Sequence, residues 1–417
     1  MSWFGTKESN EPSGPTFFPL PSNTSGFGKL DKDDTAWKTI SGHGFQTETH
    51  TYYSLLEDGS FLMVQVIWSF LGVFLIPATT QMTFKLYNPH TKKTSWKSVN
   101  VNGFKHDGCS SKSDAFEIKH TGTPETEESY AITAHLDKNV QINITFTKPA
   151  DAPGAKYGTG EQAGYSNFGS NDPTKRDAFV IHRFLPLMTT SGSLIIDGAI
   201  VDAKGEAMFV HAMQSGMRPN LIASSWNFAF FASNGGNEES ELGSVRAIQM
   251  EFTTTDDYGP KGKNSGRSKV NIGFVYASKI PNNALLVVGQ THAPEAGEYT
   301  NKSKDIVIAE HLTTEKDEET SYMAPHGLSF VWEGDRVDGA GRARVSAMNA
   351  DVWSGLIEKV DVLAEIPYVI RKGLSAVTGA KPFIFQYHNP STLNVEIEGK
   401  AIPVKGWMFN EASFVSM

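Results

Sequence analysis

Short runs in which apolar and polar residues alternate recur along most of the chain, and they predict β-strands. Met82, Phe84 and Leu86 alternate with Thr83, Lys85 and Tyr87, and Val140, Ile142, Ile144 and Phe146 alternate with polar neighbours. A side-chain period of two places each set on its own face of a sheet. The same pattern predicts strands at Phe116–Ile118, Ala178–Phe184, Ser193–Val201, Ala207–Met213, Asn227–Ala232, Val245–Phe252 and Val270–Ala277. It continues at Asp305–Ala309, Gly327–Trp332, Ala343–Met348, Pro382–His388, Leu393–Ile397 and Ile402–Met408. A strand roughly every 10 to 20 residues suits closed or sandwiched antiparallel sheets.

Five stretches break the pattern. Phe61–Ala78 approaches the roughly 20 apolar residues of a membrane-spanning helix. A turn signal at Glu57-Asp58-Gly59-Ser60 precedes it, Gln65, Ser69 and Gly72 interrupt it and Pro77 ends it, so strand, turn, strand is predicted. In Val352–Val377, Trp353, Leu356, Ile357 and Val360 follow helical spacing, and Ile366, Ile370, Leu374 and Val377 form a second stripe. Pro367 is placed to start a second helix, so a short C-terminal helical insertion is predicted, packed on a barrel end or a sheet, with a membrane-surface or partner-docking face helped by Arg371 and Lys372 as the alternative. Residues 1–35, with Pro12, Pro15, Pro19 and Pro21 among Gly, Ser and Asn, read as a disordered tail. Lys148–Arg176 and Asp256–Arg267 read as long loops, the first approaching a boundary near Thr190. The expected division is a tail 1–35, an N-terminal domain 36–190 and a C-terminal domain 191–417.

Composition then narrows the chemistry. The 417 residues carry 37 Lys and Arg against 46 Asp and Glu, a net charge of −9, with no basic block, which argues against a nucleic-acid partner. The single cysteine, Cys109, excludes an intramolecular disulfide and a cysteine-built metal centre, and it reads as a free loop thiol. The 12 histidines include no metal-spaced pair, so neither metal nor cofactor is expected. There is no nucleophile elbow, and Gly262–Ser268 has the wrong spacing for a phosphate loop. With no signal-peptide pattern at the start and no spanning segment, a cytoplasmic or nuclear setting is expected rather than secretion. The 26 Phe, 12 Tyr and 8 Trp suit either filled cores or a calyx around an apolar ligand.

The most distinctive run is Gly205–Ala232, GEAMFVHAMQSGMRPNLIASSWNFAFFA. With Gln65-Val66-Ile67, Thr80–Lys85 and Lys381–Tyr387, it resembles the fungal survival-factor family, the cell survival pathways proteins, over about residues 37 to 412. Ser215 is an insertion relative to that family's run, and Arg218 stands where Lys is usual. The resemblance implies a mainly all-β double calycin, two tandem lipocalin-like antiparallel β-barrels. It implies a non-enzymatic lipid-binding or transfer protein for sphingolipids such as ceramide between endoplasmic reticulum and Golgi, linked to survival under oxidative stress. It also implies peripheral membrane contact through the N-terminus, where Trp3, Phe4, Phe17 and Phe18 are the available anchors.

On the residues themselves, Met208 and Val210 share one strand face and Phe209 and His211 the other, while Gly216–Pro219 permits a sharp reversal. Gln214, Trp226 and Asn227 either latch a barrel corner or meet a ligand's polar groups. The candidate ligand-binding set is therefore Met208, Val210, His211, Gln214, Trp226 and Asn227. An enzyme of pericyclase or hydratase type is the alternative, with His211 and Glu206 as its acid–base pair. A third reading is a scaffold with filled barrels.

Overall fold

In the computed structural model, residues 16–42, 44–73, 76–234, 240–259, 266–293, 301–365 and 382–415 are described. Their strands form two curled antiparallel sheets, one of 16 strands and one of ten. At the centre of the first, Phe45–Leu56 lies between Phe61–Phe70 and Gly205–Gly216. Outward from these run Thr79–Asn88 and Lys93–Val101 on one side, and Ala178–Ile196, Val140–Lys148 and Glu128–Asp137 on the other. The second sheet has Ala223–Ser233 between Val245–Thr254 and Lys400–Phe414. Its edge strands, Ala284–His292 and Ile306–Lys316, are drawn together by side chains. Gly289 N–H donates to Asp305 Oδ2 at 2.8 Å, and Val307 N–H donates to Gln290 Oε1 at 3.0 Å. These bonds occupy backbone donors that would otherwise be left at an open edge.

Alternation along the strands supplies an apolar core inside each barrel and a further one between the sheets. Tyr52, Val64, Phe84, Phe146 and Phe209 fill the first barrel, and Phe231, Val275, Leu286, Trp332 and Phe385 fill the second. The opposite faces of the same strands meet each other: Tyr53, Phe61, Met208 and Val210 pack against Phe228, Phe230, Phe274 and Phe409. Phe61 stacks on Phe409 with ring centroids 4.0 Å apart, and Phe184 lies 4.6 Å from Phe274. Gly289 marks one close approach, since a Cβ there would sit 2.5 Å from the ring of Tyr157 in the other sheet. Gly289→Ala is expected to cost about 1–3 kcal/mol through this overpacking. A urea midpoint unchanged from wild type would refute that.

Several expected elements form differently. Ser193–Val201 is not one strand: the chain turns at Asp197 (φ 51°) and Gly198 (φ 84°), and Ile196 pairs with Ala199 in a two-residue hairpin. The strand beginning at Phe61 ends at Phe70, and the next starts at Thr79. Pro382–His388 and Leu393–Ile397 are parts of one strand, Phe383–Ile397. The first predicted helix of Val352–Val377 is a 3₁₀ turn, Trp353–Gly355, followed by a strand, Leu356–Asp361, that pairs with Phe383–Ile397. That neighbour offers a ladder that outweighs a helical spacing too short to propagate alone. One helical turn, Val362–Glu365, follows, and the second predicted helix lies outside the described residues.

The tail and the boundary also differ. Phe17 is wholly buried, 4.7 Å from Phe168, and Leu20 is buried as well, so the expected tail is packed from about residue 17 and Phe17 is not a free membrane anchor. Trp3 and Phe4 lie outside the described residues. Thr190 falls inside Ala178–Ile196, and Gly205–Gly216 pairs along its length with Phe45–Leu56. The chain therefore changes sheet between Gly216 and Ala223. Cys109 is buried, with its Sγ 3.4 Å from Thr35 Oγ1, and burial pushes its thiol up in pKa.

Candidate functional site

At the margin of the contact between the sheets, the outward face of the second sheet lines an apolar cleft of about 300 Å³. Strand register builds its wall. Ser413 is paired with both Trp226 and Ile384, and one step along, Glu411 is paired with both Phe228 and Gln386. Met250 extends that second row beside Phe228. Because these positions are two apart on their strands, they share a face. Val362 and Leu363 from the helical turn, with Pro382, contribute further wall, and Pro219 and Asn220 do so beyond Trp226.

One end of the cleft is polar. Glu411 lines it and accepts a hydrogen bond from Gln386 Nε2 at 2.6 Å. Gln386 Oε1 in turn accepts from Lys85 Nζ, which comes from the first sheet and lies 2.6 Å from Glu358 Oε2. Lys85 is fully buried and sits 4.1 Å over the ring of Trp96. Burial pushes the Glu411 carboxyl above the usual carboxylate range, and the Gln386 hydrogen bond and the Lys85 charge offset only part of that. A carboxyl of this kind beside apolar walls can hold a hydroxyl or amide group of a ligand.

Of the residues singled out in the sequence, Trp226 alone lines this cleft. Asn227 points from the other face of the same strand into the second barrel, where its Nδ2 donates to Glu251 Oε1 at 2.7 Å and its Oδ1 accepts from His311 Nε2 at 2.9 Å. Met208 and Val210 are buried in the core between the sheets. Gln214 Nε2 donates to the Met217 carbonyl at 2.7 Å across the turn.

His211 faces the first barrel. Its Nδ1 donates to the Asp34 carbonyl at 2.7 Å, and its Nε2 lies 2.8 Å from Glu48 Oε1. Glu48 also accepts the backbone N–H groups of Lys38 and Thr39. With His50, these residues bring possible ligand atoms within 4.8 Å of one another. Glu48 and His211 are already engaged with each other and with the backbone, so the group acts as a latch that holds the Asp34–Thr39 segment over the barrel. His50 stacks on Trp37 at 3.9 Å, and burial, followed by the charge of His211, lowers its pKa well below the ordinary value. Glu206 is on the opposite strand face from His211 and pairs with Arg246 of the second sheet, so the expected acid–base pair is not assembled.

Lys85, Gln386 and Glu411 were missed because each lies on its own strand as an ordinary polar position. Only the facing of the two sheets brings them together.

A family model described as Svf1 family matches residues 10–416. The chain belongs to that family. Among the curated Svf1 relatives, the ceramide-binding protein svf1 of Schizosaccharomyces pombe is 30% identical, over 94% of this chain and 90% of that protein. The ceramide-binding protein svf1 of Emericella nidulans is 28% identical, over 93% and 90% respectively. Among solved structures, kievitone hydratase from Nectria haematococca aligns with a TM-score of 0.51 at 13% identity, covering 97% of this Svf1-family chain and 99% of the hydratase. A structure of CghA with Sch210972 aligns with a TM-score of 0.50 at 11% identity, covering 94% and 99%. At such identities the likeness shows the shared double-calycin fold and nothing of chemistry. Among the described residues, no helix is long and apolar enough to cross a membrane.

Proposed function

We propose that this protein binds ceramide without transforming it, and takes hydrocarbon from the lipid into the apolar cleft beside Trp226 and Phe228. The cleft carries the reading: about 300 Å³, walled mainly by apolar side chains, with Glu411 in its lining held by Gln386. Its size is at the lower limit of small-molecule sites, roughly 300–1,000 Å³, so it suits a chain segment rather than a whole lipid. The ceramide-binding names of relatives that align along nearly the whole chain support the same ligand. Shielding a hydrocarbon in this way is what transfer of ceramide between endoplasmic reticulum and Golgi membranes requires, with the protein touching each membrane peripherally. A link to oxidative stress would then run through lipid handling, because Cys109 is buried and has no second cysteine to resolve an oxidised form.

Protein purified and extracted for mass spectrometry is expected to carry ceramide in excess over bulk phospholipid, and to move fluorescent ceramide between vesicles. Ligand-free protein that leaves the transfer rate at background would refute the reading. A second reading rests on Glu411. A carboxyl whose pKa burial raises, beside an apolar cleft, is the kind of group a hydratase would use as proton donor. Ceramide recovered chemically unchanged after long incubation with the protein supports carriage. Conversion of an apolar alkene, abolished by Glu411→Gln, would support catalysis.

A further inference from the structure

The mouth of the second barrel, about 650 Å³, opens beside the apolar cleft and shares Trp226, Ser413 and Phe414 with it. Its lining is of the opposite kind. Strand register sets Asn227 beside Glu251 and Glu251 beside Asn271, so three polar side chains stand in one row on the inner face of the barrel. One level deeper, Gln249 lies behind them. Glu251 is 2% exposed and Asn271 is 0% exposed.

Hydrogen bonds within the row fix each group and leave a matched pair open. His311 Nε2 donates to Asn227 Oδ1, Asn227 Nδ2 donates to Glu251 Oε1, and Gln249 Nε2 donates to Asn271 Oδ1 at 2.8 Å. Burial, with the charge of Lys269, pulls His311 down to about 4, so near neutral pH it serves this chain as an uncharged imidazole. Gln249 Oε1 and, in the lining of the mouth, His292 Nε2 have no partner, and neither do Glu251 Oε2 and Asn271 Nδ2. Of the latter two, one accepts and the other donates, and they sit on neighbouring strands. Lys269 Nζ lies 3.7 Å from Glu251 Oε1, so the carboxylate charge is already faced by a cation.

We propose that this mouth seats an uncharged head group that gives a hydroxyl or amide hydrogen to Glu251 Oε2 and accepts one from Asn271 Nδ2, while the attached hydrocarbon crosses Trp226 into the cleft. This rests on the lipid-binding reading and adds to it the placement and selection of the head. A phosphorylated head is disfavoured, because its negative charge would meet the Glu251 carboxylate while Lys269 is already engaged with that carboxylate at 3.7 Å. The same pair of groups would suit a free polyol, so the source of the hydroxyls is part of the test.

Full-length protein is titrated with short-chain ceramide, with the ceramide 1-phosphate of the same chains, and with myo-inositol. Wild type is expected to bind the ceramide at least tenfold more tightly than the phosphate and to show no thermal shift with inositol. Glu251→Gln is expected to reduce that preference to a fewfold, and Asn271→Ala to weaken ceramide about tenfold while uptake of diphenylhexatriene by the cleft stays at the wild-type level. Equal binding of ceramide and its phosphate by wild type would overturn the proposal without any variant, and so would folded variants with unchanged selectivity. An inositol shift that ceramide does not displace would also overturn it, by assigning the mouth to free polyols. Wild type that binds no ceramide at all would fail the lipid-binding reading itself, and is thereby distinguished from failure of the head-group site alone.

Discussion

Lys85→Met is expected to destabilise the protein by about 3–5 kcal/mol, the usual cost of removing one partner from a buried ionic group. Lys85 is fully buried on the first sheet, whereas Glu358, Gln386 and Glu411 belong to the second, so the substitution strikes the contact between them. It leaves Gln386 Oε1 without its donor and Glu411 without the cation that offsets its burial. Glu358, being partly exposed, turns to water at little cost. The double variant Lys85→Met/Glu411→Gln is therefore expected to be more stable than Lys85→Met alone, since the leftover carboxyl is gone. Urea unfolding of the two variants measures the difference, and equal midpoints would contradict it.

The pH dependence follows from the direction of the Glu411 shift. Its pKa is higher folded than unfolded, so its contribution to stability is fully present below the unfolded carboxylate value and is lost as pH rises through the folded value. Without Lys85 the folded value rises further. Lys85→Met should accordingly recover part of its lost stability as pH falls from neutral toward the unfolded carboxylate range.

The same residues show where sequence reading stops. Alternation of Met82, Phe84 and Leu86 with Thr83, Lys85 and Tyr87 correctly separates two faces, because that period is fixed by the backbone. It cannot reveal that the second face is covered too: Lys85 and Tyr87 are both buried against the other sheet. The Asp197-Gly198 hairpin was missed: Asp-Gly is a two-residue turn signal, but the apolar residues around it read as a single strand, Ser193–Val201. Leu356–Asp361 was not legible, because its strand character depends on a partner elsewhere in the chain. Trp226 and Asn227 stood out as neighbours. Their separation onto two faces, one lining an apolar cleft and one a polar barrel mouth, needed the strand that carries them to be placed.

Blocking the cleft is expected to abolish ceramide binding while leaving the fold intact. Met250 is only partly buried and contributes to the wall beside Phe228, so Met250→Trp can place its larger side chain in the cleft without entering either barrel core. Leu363→Asp acts differently: it sets a charge on the opposite wall, from a partly buried position on the Val362–Glu365 turn. Burial of as few as about five methylenes, at roughly 0.8 kcal/mol each, supplies about 4 kcal/mol of affinity, close to a thousandfold. Either variant should therefore lower copurified ceramide by at least tenfold, and the pair together should bring it to background. Thermal unfolding close to wild type separates this effect from loss of fold. If both variants keep full ceramide occupancy, the hydrocarbon lies elsewhere.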